Sequence, residues 1–193
     1  MRPTYRGLTW DHPRGFNALQ AAASEIAPKQ GLDLTWDKQP LEGFESHPIA
    51  DLCARYDLVV LDHPHVGEAV EAGCLVPLED LFEPEELATL EAASIGPSLS
   101  SYHYDRHHWA LPLDAATQVM AYRPDLVAPV TTWDEVVALA GKGGVALSLA
   151  GPHAALSFLS IAAALGEPPA ERDPAILVSA DSGRRAFDLM AAI

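Results

Sequence analysis

The period of apolar and polar positions changes along the chain, and each change marks an element. Tyr5 to Trp10 reads as a short strand running into a polar loop, Asp11-His12-Pro13-Arg14-Gly15. Phe16, Leu19, Ala23 and Ile26 then recur at three- and four-residue spacing, which predicts a helix with one apolar face. Pro28 and Gly31 end it. Leu32 to Trp36 alternates apolar and polar residues as a second strand, and a loop with Pro40 and Gly43 leads to a short helix near Ile49 to Tyr56. Asp57 to Leu61 is a nearly continuous aliphatic run, as a parallel strand covered on both faces requires. It too enters a polar loop, Asp62-His63-Pro64-His65, and a helix is expected near Val66 to Ala72.

This β-α-β-α-β order predicts an α/β fold with a doubly wound, mostly parallel sheet. Right-handed crossovers allow the strand order 2-1-3, in which the first and third strands are neighbours. Ligands in such sheets bind at the switch point, beyond the carboxyl ends of the strands. Both loops predicted there carry the same tripeptide, Asp11-His12-Pro13 and Asp62-His63-Pro64. The helices that follow would turn backbone N–H groups toward the same place.

The remainder is less regular. Leu78 to Ser101 has a weak helical pattern, with Glu79, Glu83, Glu85, Glu86 and Glu91 read as solvated faces. Tyr102 to His108 is a polar, aromatic loop. Thr117 to Tyr122 and Val145 to Leu149 have strand composition. Thr132 and Glu135 have the spacing of a capping box ahead of Val136, Val137 and Leu139. Gly151-Pro152-His153 turns into an apolar helix, Ala154 to Leu165, which Pro168-Pro169 ends; Gly183 to Ile193 is amphipathic.

Composition narrows the function classes. A length of 193 residues corresponds to one large domain or two small ones. The formal net charge of −15 opposes nucleic acid and anionic membrane surfaces as partners and suits a neutral or cationic small molecule. Cys53 and Cys74 do not make a disulfide scaffold and are expected as small core residues. No run reaches the roughly 18 apolar residues of a membrane span. Met1-Arg2-Pro3-Thr4 has no signal-peptide core, which leaves either a cytoplasmic chain or one whose export signal is absent. There is no Gly-x-Ser-x-Gly elbow, phosphate loop or dinucleotide fingerprint, so no cofactor is expected.

The order Trp10-Asp11-His12-Pro13-Arg14-Gly15, Tyr56 to Val60, Ala72 to Leu78, Trp109 to Asp114, Gln118, Tyr122 to Leu126 and Thr132 to Glu135 resembles an extracellular solute-binding protein of an ABC importer. The likeness is to the sugar-binding branch of the type II periplasmic-binding fold. It implies two α/β lobes, residues 1–111 and a hinge strand plus the first part of a second lobe over 112–193, that bind a solute in an interlobe cleft without chemistry. It also implies periplasmic or extracellular location, permease subunits as partners, and a chain longer than this one. On that reading the second lobe is incomplete, and a homodimer is expected if the chain is naturally this short.

Sugar recognition needs polar groups for hydroxyls and an aromatic face for the C–H side of the ring. Asp11, His12, Arg14, Asp62, His63, His65, Asp114 and Gln118 are the candidate polar set, with Gly15 in the first loop. Trp10 and Trp109 are the candidate faces, and His153 is a candidate from the second lobe. Other roles compete: helix N-capping for Asp11 and Asp62, structural hydrogen bonding for His12 and His63, core packing for Trp10, an exposed turn for His153. Trp36 and Trp133 are expected in the core. Two other functions are compatible with these residues, a Zn²⁺ site built from Asp62, His63, His65 and His12, or an enzyme or cytoplasmic sensor of the same fold.

Overall fold

A computed structural model describes residues 1–40, 47–170, 173 and 175–193. The expected loop at Gly43 lies outside the described residues. By its internal packing the chain divides into two units, Met1–Ala115 and Ala116–Ile193.

The first unit is built on β1 (Thr4–Trp10), whose Gly7, Leu8 and Thr9 are buried. It pairs in parallel with β2 (Asp33–Gln39) on one edge and β3 (Leu58–Val59) on the other, giving the order β2-β1-β3 expected from the sequence. Only two residues of β3 lie in the ladder, fewer than the aliphatic run suggests. Backbone bonds from Asp57 to Arg6 (2.9 Å) and from Val60 to Leu8 (2.9 Å) continue the pairing on either side. Gly7 lies opposite Trp36, and a Cβ there would come within 2.4 Å of the indole ring. The glycine thus lets the Trp36 side chain lie flat across the central strand.

Helix α1 (Pro13–Glu25) returns the chain from β1 to β2. A 3₁₀ turn, Ala27–Gln30, ends at Gly31 in the left-handed conformation (φ +74°), which glycine adopts without a Cβ clash. Helices α2 (Ile49–Cys53) and α3 (Val66–Glu71) pack against each other beside the sheet. One core joins them to the strands: Leu8, Ile49, Leu52, Leu61, Val66 and Ala69, with Tyr102 and Trp109 packed against it.

Helix α4 (Pro84–Ala93) starts with the Glu86 carboxylate accepting from the Glu83 N–H (2.9 Å). Tyr102 to His108, expected as a loop, contains an antiparallel hairpin, β4 (His103–Tyr104) and β5 (His107–His108). Its two-residue turn holds Asp105 and Arg106 at φ +45° and +70°, a turn that glycine and asparagine usually signal. With neither residue present, the pattern gave no hairpin cue.

The second unit holds α5 (Trp133–Ala140), α6 (His153–Ala164) and α7 (Ala180–Ala192). The expected capping box opens α5: Thr132 Oγ1 accepts from the Glu135 N–H (3.3 Å), and the Glu135 carboxylate accepts from the Thr132 N–H (3.1 Å). Buried Ile161 and Ala162 of α6 and Ala186 of α7 lie where these helices pack, beside the Phe158–Phe187 ring pair (4.8 Å between centroids). Thr117–Tyr122 and Val145–Leu149 are not strands. Strand composition becomes a strand only against a neighbour, and among the described residues this unit has none to offer.

Gly7→Ala should lower stability by about 1–3 kcal/mol, because the Trp36 ring must leave its place on β1. Urea unfolding followed by tryptophan fluorescence measures this directly.

Candidate functional site

Because β1 and β3 are parallel neighbours, the loops after them leave the same carboxyl edge of the sheet. The first loop is held from three sides. The Asp11 N–H donates to the Gln39 carbonyl (2.8 Å), and the Asp11 carboxylate pairs with Lys38 Nζ (2.8 Å). His12, not Asp11, caps α1: its Nδ1 accepts from the Arg14 N–H (3.2 Å). Pro13 explains the shift. It favours extended backbone in the residue before it, and His12 sits at φ −146°, ψ 142°, the conformation an N-cap needs.

Gly15 is buried under the Trp10 ring; a Cβ on it would lie 2.3 Å from Cε3. Thr9, fully buried, donates from Oγ1 to the Gly15 carbonyl (3.1 Å) and ties the strand end to the helix start. Trp10 is half-buried by this contact.

In the second loop Asp62 is extended and exposed, ahead of a 3₁₀ turn over His63–His65, and its side chain makes no capping bond. His63 is exposed; His65 is half-buried, with Nδ1 4.0 Å from the Glu68 carboxylate. Among the described residues no three His, Cys, Asp or Glu side chains are grouped as metal ligands, so the Asp-His-Pro loops do not assemble the zinc site considered above.

What does assemble is a group around Tyr102. Its hydroxyl donates to the Leu61 carbonyl at the end of the β3 segment (3.3 Å). Burial, and then the charges of Asp62 and Asp114, push its ionisation above the usual tyrosine range. Arg14 Nη2 pairs with Asp114 Oδ2 at 3.0 Å. Arg14, Asp62, Asp114 and Tyr102 therefore come from four separate segments to one edge of the sheet. Tyr102 was missed in the sequence because its neighbours are polar. The usable signal was Leu99, three residues earlier and 1% exposed, which fixes the core-facing side of that turn.

The hairpin adds aromatic surface. The exposed Tyr104 ring lies over Gly67 near the start of α3, and its carbonyl accepts from Trp109 Nε1 (2.7 Å). Trp109 itself packs on the core and meets the His107 ring edge-on (centroids 5.8 Å apart). Glu79 anchors this hairpin. Its carboxylate accepts from the His108 N–H (3.0 Å) and ring Nδ1 (2.9 Å), with His107 Nδ1 at 3.5 Å. Burial alone would push the Glu79 carboxyl up, but the bonds from the His108 ring and from backbone N–H groups outweigh it and hold it down to about 2. Gln118 and His153 belong to the second unit, where both are exposed.

Both Asp-His-Pro loops thus lie at the carboxyl edge of a parallel sheet in an α/β frame. The sequence model of a family described as bacterial extracellular solute-binding protein matches residues 49–193, and the chain belongs to that family. Two solved structures are similar. One is the Thermus thermophilus maltotriose binding protein bound with maltotriose, at 20% identity and a TM-score of 0.61, over 97% of this chain and 52% of that one. The other is a cyclo/maltodextrin-binding protein complexed with maltotetraose, at 16% identity and a TM-score of 0.50, over 100% of this chain and 63% of that one. At these identities the likeness is one of fold, and the chain spans less than two thirds of the length of either.

Glu79 yields a pH prediction. A carboxyl held low in the folded state stabilises it fully above the unfolded value near 4.3. That contribution disappears as pH falls from there toward about 2. The melting temperature should drop over this window, and Glu79→Gln should flatten that part of the profile when thermal melts are recorded from pH 7 to pH 2.

Proposed function

We propose that this chain is the solute-recognition part of an ABC importer's binding protein, that it acts outside the cytoplasmic membrane, and that it binds a small neutral carbohydrate without transforming it. The observation that carries the reading is the convergence of Arg14, Asp62, Asp114 and Tyr102 beyond the carboxyl ends of β1 and β3. Carboxylates accept from sugar hydroxyls and the guanidinium donates to them. Arg14 is paired with Asp114, and Lys38 with Asp11, so these cations are already neutralised by the protein. A hydroxyl-rich neutral solute fits such paired charges better than an anion does. The exposed Tyr104 ring offers the flat apolar surface that a sugar's C–H face needs.

The family is extracellular by its description, and the two similar structures hold maltotriose and maltotetraose. Both facts support the location and the ligand class. Permease subunits would be the partners that read the loaded protein. Gln118 and His153 carry no part of this argument.

Isothermal titration with maltotriose, other neutral sugars, amino acids and Zn²⁺ tests the proposal. Binding of a sugar is expected, weakened roughly 10-fold or more by Arg14→Ala or Asp62→Asn, since hydrogen bonds to charged groups contribute about 1.5–3 kcal/mol. A response to Zn²⁺ alone, removed by His63→Ala, would refute it, as would turnover of any sugar.

A further inference from the structure

The sequence contains two cysteines, one at the end of α2 and one in the turn after α3, and these two helices pack against each other. Cys53 is the last residue of α2 and packs on the core. Cys74 follows α3 in a turn whose bonds fix its direction. The Gly73 N–H donates to the Val70 carbonyl (2.9 Å) and the Cys74 N–H to the Ala69 carbonyl (3.0 Å), with Gly73 left-handed at φ +64°. This is a Schellman ending, which folds the residue after the glycine back along the helix. Both cysteines are half-buried free thiols, and Cys74 lies near enough to Cys53 to disfavour its thiolate.

We propose that Cys53 and Cys74 form a disulfide in the exported protein, closing a loop that contains β3 and the Asp62-His63-Pro64-His65 turn. The bridge would tie the end of α2 to the end of α3 and so brace both sides of the segment that presents Asp62. It does not depend on which solute is bound, only on the oxidising setting of an extracellular family.

The chemistry is thiol–disulfide exchange with a disulfide donor, either a dithiol–disulfide oxidoreductase or oxidised glutathione. The thiolate of Cys74 attacks the donor disulfide and releases one donor thiol. Cys53 then gives up its proton to solvent, attacks the Cys74 sulfur and releases the second. Two protein thiols are oxidised and one donor disulfide is reduced to two thiols. Burial, reinforced by Cys74, pushes the Cys53 thiol up to about 11. The second step is therefore slow in the folded protein, and it speeds up at higher pH or when the chain is oxidised while folding.

The test is to refold the full chain in a reduced and oxidised glutathione mixture, and separately to oxidise the folded chain at pH 7 and pH 9. Intact mass and non-reducing peptide mapping then follow. The expected result is loss of two hydrogens from the monomer and a linked peptide pair containing Cys53 and Cys74, formed faster at pH 9 in the folded chain. Reduction should lower the melting temperature by roughly 5–10 °C, as expected for a bridge closing a loop of this size. Cys53→Ser and Cys74→Ser should each melt like the reduced wild type, whatever the redox buffer. Two alkylatable thiols after refolding, glutathione retained on one cysteine, or disulfide-linked dimers would each overturn the proposal.

Discussion

Gly7 faces Trp36 on one side and Leu58 on the other, so β1 is paired along both edges. Much of the geometry at the carboxyl edge of the sheet follows from that. A strand paired on both sides must leave its loop beside those of its neighbours, and parallel pairing sends the loops after β1 and β3 to the same edge. The missing Cβ at Gly7 and the missing Cβ at Gly15 serve one end. The first admits the Trp36 ring across the strand, and the second admits the Trp10 ring onto the start of α1. Buried Thr9, between them, fastens strand to helix through the Gly15 carbonyl.

The electrostatics of that edge differ from those of the whole molecule. A chain with a net charge of −15 keeps its acidic excess on solvated faces such as α4. At the sheet edge each cation meets a carboxylate, Lys38 with Asp11 and Arg14 with Asp114. Cations already paired by the protein, among many donors and acceptors, favour hydroxyl-bearing ligands, because a partner that lacks a hydroxyl leaves a polar group unmatched. The hairpin beside it is held by a single acidic residue, Glu79, bonded to both backbone and ring of His108.

Much of this frame was legible in the sequence. The aliphatic run at Asp57–Leu61, the spacing of Phe16, Leu19 and Ala23, and the Thr132–Glu135 pair are signals written within a few residues, and they led to the strand order and the α5 cap. What was not legible depended on contacts distant in sequence or on unusual backbone. Asp105 and Arg106 close a hairpin in conformations their side chains do not advertise. Thr117–Tyr122 and Val145–Leu149 read as strands from composition, yet pairing is a property of two segments and not of one. His12 displaced Asp11 as the cap because of Pro13, a local rule that the repeated tripeptide obscured. Tyr102 joined the candidate site through Leu61, far along the chain. Cys53 and Cys74 read as separate core residues, yet both are half-buried thiols near the ends of α2 and α3, two helices that pack on each other.

The central claim is that the carboxyl ends of β1 and β3 present one shared solute surface. Amide chemical-shift mapping of the isotopically labelled chain during titration with maltotriose tests it most directly. The account predicts that the amides of Asp11 to Gly15 and of Asp62 to Gly67 shift together, along one saturating curve. Shifts confined to one of these loops, or found only elsewhere while the ligand binds, would contradict it.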